Sequence, residues 1–70
     1  MKEREGVLRL VENRIYLGGV LLQCTLVMRE NIFNNFDSGE RVKVDFYDNG
    51  YVKSMVLVGN GPDVSLGEGT

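Results

Sequence analysis

Residues 39–59 read GERVKVDFYDNGYVKSMVLVG, and the fold turns on how this stretch pairs with itself. Two runs rich in β-branched and aromatic residues, 40–47 and 51–58, flank Asp48-Asn49-Gly50. Asn-Gly and Asp-x-Gly sequences between such runs are strong hairpin signals, because the turn needs a residue that tolerates positive φ. A two-residue loop, Asn49-Gly50, would set Phe46 opposite Lys53, Val44 opposite Met55 and Val42 opposite Leu57. A three-residue loop with Gly50 left-handed instead sets Phe46 opposite Val52, Val44 opposite Ser54 and Val42 opposite Val56. The second register also matches Asp45 with Lys53 and Tyr47 with Tyr51, cross-strand pairs worth roughly 0.2–1 kcal/mol each. It keeps Lys53 off the buried face and is the preferred reading. Its core set is Val42, Val44, Phe46, Val52, Val56 and Val58. Its outer set is Arg41, Lys43, Asp45, Tyr47, Tyr51, Lys53, Met55 and Leu57.

Working outward, residues 6–12 (GVLRLVE) read as a strand with Leu8 and Leu10 on one face, after a charged lead-in at 1–5. A bend at Asn13-Arg14 leads into Ile15-Tyr16-Leu17. Gly18-Gly19 then marks a turn, bulge or corner. Residues 20–29 (VLLQCTLVMR) alternate, with Val20, Leu22, Cys24, Leu26 and Met28 on one face, which predicts a long bent strand. Residues 30–38 (ENIFNNFDS) are less regular. Met28, Ile32 and Phe36 recur at i, i+4 and i+8, allowing a helical turn that plugs one end of the fold with Ile32, Phe33 and Phe36. The glycine-rich stretch 59–70 predicts a flexible tail.

Seventy residues make one domain, expected over 6–59 with flexible ends at 1–5 and 60–70. Short strands with regularly spaced turn signals predict an all-β fold: a small five-stranded barrel, SH3-like or OB-like, with one short helical turn. A chain this small buries only about 60% of the surface its unfolded form exposes, so tight packing or self-association must help it.

The chemistry the sequence lacks narrows the function. There is no histidine and only one cysteine, Cys24, so neither an intramolecular disulfide nor a Cys/His zinc site can form. General acid–base work would fall on carboxylates, Tyr or Lys, and the three aspartates nearest the best-defined structure each have a structural reading: Asp45 pairs with Lys53, Asp48 opens the turn, and Asp37 caps one. Cys24 reads as a small buried hydrophobe between Leu22 and Leu26 rather than a nucleophile. Gly18-Gly19 leads into a strand with no GK[ST] after it, so it is no phosphate loop. No catalytic, cofactor-binding or metal-ligating residue is therefore expected, and the chain reads as no enzyme.

The net charge of −2 disfavours a nucleic-acid coat. The apolar run 20–28 is too short to span a bilayer, and the opening MKEREG is not followed by a signal-peptide apolar block. With its lone cysteine, the chain reads as cytoplasmic. The surface that draws attention is the outer hairpin face, Arg41, Lys43, Tyr47, Tyr51 and Lys53, joined by Phe33 and Phe36 from the plug. Tyr, Met and Arg are enriched at interface cores, so the expected role is a binding module for another protein or a second copy of itself, as a small regulator or inhibitor. The alternatives are a single-stranded nucleic-acid-binding barrel, stacking bases on Tyr47 and Tyr51, or an oligomer that sequesters a small ligand.

Overall fold

In the computed structural model, which describes residues 3–66, the hairpin forms at the expected place. Tyr47 N–H donates to Tyr51 O (2.8 Å) and Gly50 N–H donates to Tyr47 O (2.9 Å), closing a three-residue loop over Asp48, Asn49 and Gly50. Gly50 has φ 90°, a value only glycine adopts without a Cβ penalty. The Asn49 side chain accepts from Tyr51 N–H at 3.0 Å. Phe46 then faces Val52, as the three-residue loop requires.

Beyond that pair the register changes. Asp45 faces Ser54, Val44 faces Met55 and Val42 faces Leu57, so Lys53 is left over as a β-bulge between the strands β4 (Arg41–Phe46) and β5 (Val52–Leu57). Near the turn the hairpin follows the three-residue reading, and beyond the bulge it follows the two-residue one. The physical reason lies in Ser54 and Met55. An unbroken register would turn the Ser54 hydroxyl inward and the long thioether of Met55 out, and an unpartnered buried hydroxyl is costly. The bulge reverses both. Met55 is only 1% exposed, and Leu57 packs against the core from a half-buried position. Val56 and Val58, expected inside, are respectively half-buried and 46% exposed. Val42, Val44 and Val52 are buried as expected, and Phe46 is half-buried against them.

The remaining strands complete one antiparallel sheet in the order β3-β2-β1-β4-β5-β6. β1 (Glu3–Val11) begins three residues before the expected start, because Glu3, Arg4 and Glu5 pair with Asp45, Val44 and Lys43 of β4. Its second half pairs with β2 (Arg14–Leu17) through a two-residue loop, Glu12-Asn13. Gly18-Gly19 is a second two-residue loop, joining β2 to β3 (Val20–Leu21). Within the presumed tail, Asp63–Ser65 forms β6 on the free edge of β5, with Val64 buried against Met55. The lead-in residues 1–2 and tail residues 67–70 lie outside the described residues.

The two loops differ in one respect. Gly18 has φ 63°, and at the matching first position of the other loop Glu12 has φ 55°. A side chain in this left-handed region costs about 1–2 kcal/mol. Substituting Glu12→Gly is expected to raise stability by about 0.5–1 kcal/mol after the extra chain entropy of glycine is counted. Urea denaturation would check it, and a loss of stability would contradict the loop geometry.

Residues 20–29 do not form a long strand. After Leu21, Leu22 N–H still donates to Ile15 O of β2 at 2.8 Å, and Gln23 forms an isolated parallel bridge to Tyr51 with Val52 N–H donating to Gln23 O at 2.9 Å. Thr25 then caps the helix α1 (Leu26–Asn35), its Oγ1 accepting from Met28 N–H at 3.2 Å. The helix lays Met28 and Ile32 into the core, followed by Phe36 just past its end. Leu26, counted on the apolar face of a strand, stands 65% exposed at the helix start, and its neighbour Val27 57%. Because the chain turns into α1 so early, the sheet curls but its ladder does not close, and the five-stranded closed barrel is not what forms. Strand content dominates, with six antiparallel strands and one short helix, α1, packed chiefly against β6 and β5.

Candidate functional site

The ladder assigns the outer hairpin face directly, because cross-strand partners share a face. Glu5, Lys43, Val56 and Asp63 form one row, and Glu3, Asp45, Ser54 and Ser65 another. Val7, Arg41 and Val58 form a third. The Arg41 guanidinium is held by Glu5 at 3.3 Å. Arg41 and Lys43 therefore sit among Glu3, Glu5, Asp45 and Asp63, and this half of the face is not basic.

The expected Asp45–Lys53 pair is absent from the ladder, since Lys53 occupies the bulge and Asp45 faces Ser54. Lys53 Nζ instead lies 5.9 Å from the centre of the Tyr47 ring, at the outer limit of a cation–π contact. Tyr51 is exposed beside the Gln23 bridge, and Tyr47 is half-buried. Phe36, expected among the contact residues, is 3% exposed and belongs to the core, so it offers no surface. Phe33 is half-buried against the core and lines a cleft of about 500 Å³ with Leu26, Arg29 and Glu30. The seven expected contact residues are thus split between the sheet, the hairpin end, the core and the helix.

A different surface gathers what they do not. On the outer side of β1, β2 and β3, Arg9 faces Tyr16, which faces Leu21. Val7 and Val11 flank Arg9 along β1, and the Val7 row continues to Arg41 and Val58. Val7, Val11, Leu21 and Val58 are all exposed. The result is a strip of aliphatic side chains with one tyrosine and three arginines, Arg9, Arg41 and Arg14, the last facing Val11. The mixed polarity of residues 6–12 is its sequence trace: both faces of that strand carry apolar residues, and those on the outer face, Val7 and Val11, are exposed.

A cleft of about 390 Å³ opens where the Glu12-Asn13 loop, β3 and the start of α1 meet. Arg14 of β2, Arg29 of α1 and the buried Ile15 and Leu22 are among the residues that line it. Cys24 also lines it, half-buried and outside any strand. Burial pushes its thiol up to about 11, an effect only partly opposed by the nearby Arg29 charge, so the sulfur stays protonated and unreactive in the neutral range. Among the described residues there is no cluster of three or more groups able to hold a metal ion. No helix among them is long and apolar enough to cross a membrane.

Comparison with known protein families, curated proteins and solved structures finds no match to this chain.

Proposed function

We propose that the chain is a non-enzymatic binding module, a small barrel-like fold left partly open, that acts by docking another protein on the outer side of β1, β2 and β3. The observation that carries this reading is the exposure of Val7, Val11, Leu21 and Val58 around Arg9 and Tyr16. Aromatic and arginine residues set among aliphatics are what the energetic centres of protein interfaces contain. The lone half-buried thiol suits a reducing, cytoplasmic setting. The nucleic-acid alternative is the weaker one, because Arg41 and Lys43 are interleaved with carboxylates that repel a phosphate backbone.

Both readings are tested together. The double variant Arg9→Glu, Val11→Ser is expected to fold normally and to lose partner capture by about tenfold or more, the effect of removing an interface hot spot. Tyr47→Ala with Tyr51→Ala is expected to leave capture within about threefold, as rim contacts do. Full capture by the first variant would remove this face from consideration. Oligonucleotide binding that weakens as salt rises would favour the alternative.

A further inference from the structure

We propose that the open end of the curled sheet, where β3 passes the hairpin turn, is a second site and binds a small apolar carboxylic acid. The strand registers show which side chains meet there. Arg4 pairs with Val44, Val44 with Met55 and Met55 with Val64, and the last three are buried in the core. Cross-strand partners share a face, so Arg4 stands on the inner face, at the end of a buried row. Val20 pairs with buried Leu17, Leu22 N–H donates to the carbonyl of buried Ile15, and Phe46 faces buried Val52. These three are therefore inner-face residues as well. Arg4, Val20, Leu22 and Phe46 all line one cleft of about 280 Å³.

The inner face is the one the fold covers elsewhere, with α1 packed chiefly against β6 and β5. Here the cover is incomplete. Leu22 is buried and forms the floor, but Val20 is 44% exposed although its partner Leu17 is only 6% exposed, and Phe46 is half-buried. Beside this apolar surface stands Arg4, which forms no ion pair among the described residues. Those features select the ligand. One guanidinium presents a planar fork that matches a single carboxylate. A phosphate dianion would be only half neutralised, and Asp48 on the same rim would repel it further. A neutral apolar molecule would cover Val20 and Phe46 but leave Arg4 unpaired, and acetate would do the reverse. The Gln23 amide on the rim can donate to the second carboxylate oxygen. The volume lies just below the roughly 300–1,000 Å³ of drug-sized sites, which limits the occupant to about one ring.

The test uses the full chain, amide-resolved NMR and four probes: benzoate, benzyl alcohol, acetate and phenyl phosphate. Benzoate is expected to give saturable shifts confined to residue 4 and its neighbours on β1, to residues 20–23 and to residues 46–50. Benzyl alcohol, which lacks the charge, and acetate, which lacks the ring, should each bind at least about tenfold more weakly, since charge-assisted bonds are among the stronger polar contacts. Arg4→Gln should weaken benzoate about tenfold and leave benzyl alcohol unchanged. Arg4→Lys, which keeps the charge but loses the fork, should fall between. Arg14→Gln, on the outer face, should change nothing. Absence of localised shifts at about 10 mM benzoate, roughly ten times the concentration that half-fills a site of about 1 mM affinity, would overturn the proposal. So would benzoate binding that Arg4→Gln leaves intact, or tighter binding of phenyl phosphate than of benzoate. Neither result bears on docking at the outer face of β1, β2 and β3, which the Arg4 variants do not touch.

Discussion

Replacing Met55 with alanine is expected to destabilise the protein by about 2–5 kcal/mol, the usual range for truncating a fully buried methionine or leucine. Val56→Ala, one residue on, is expected to cost less than about 1 kcal/mol, because Val56 lies on the outer face and is only half-buried. The contrast follows from the bulge at Lys53. Past it, Met55 points at Val44 on one side and Val64 on the other, in the middle of the sheet's inner face. Domains are stable by roughly 0.05–0.15 kcal/mol per residue, so for 70 residues the Met55 change removes a large part of the total. Chemical denaturation of the two variants side by side would decide it. A larger loss for Val56→Ala would mean that the unbroken three-residue register is correct.

The second large effect is expected in α1. Ile32→Ala should cost about 2–5 kcal/mol, because Ile32 is fully buried beneath the curled sheet. Leu26→Ser and Val27→Ser should each lie within about 0.5 kcal/mol of the parent, as surface changes usually do. Had residues 20–29 continued as a strand, Leu26 would be a core residue and its substitution would rival that of Ile32. Thermal unfolding, read as a midpoint shift for each variant, separates the two arrangements.

These contrasts mark where the sequence could be read and where it could not. The hairpin was legible because Asp48-Asn49-Gly50 is a local signal: the left-handed glycine fixes the loop without help from the rest of the chain. The bulge was not, because both registers present an apolar ladder, one through Val52, Val56 and Val58, the other through Met55 and Leu57. Only the cost of turning Ser54 inward separates them, and that depends on the finished core. The helical spacing of Met28, Ile32 and Phe36 was visible. The start of the helix was hidden by an accidental alternation from Val20 to Met28, and the decisive element is the Thr25 cap, a single hydroxyl. β6 is three residues long and exists through its pairing with β5, so its glycine-rich surroundings read as a tail.

The candidate site suffered from the same shortage of local information. Arg41, Lys43, Tyr47 and Tyr51 are exposed or partly exposed residues of the hairpin, but their carboxylate neighbours come from β1 and β6. The strip on β1, β2 and β3 was signalled only by the apolar residues on both faces of residues 6–12. The cleft joins residues 12–15, 21–24 and 29, and depends on α1 starting where it does.

The reversal of β5 at Lys53 decides which aliphatic residues are spent on the core and which remain outside. Interstrand backbone NOEs in the isotopically labelled protein test it most directly. The account predicts contacts joining Val44 to Met55 and Val42 to Leu57, with Phe46 joined to Val52. Contacts joining Val44 to Ser54 and Val42 to Val56 would contradict it, turning Met55 outward and drawing Val56 and Val58 into the interior.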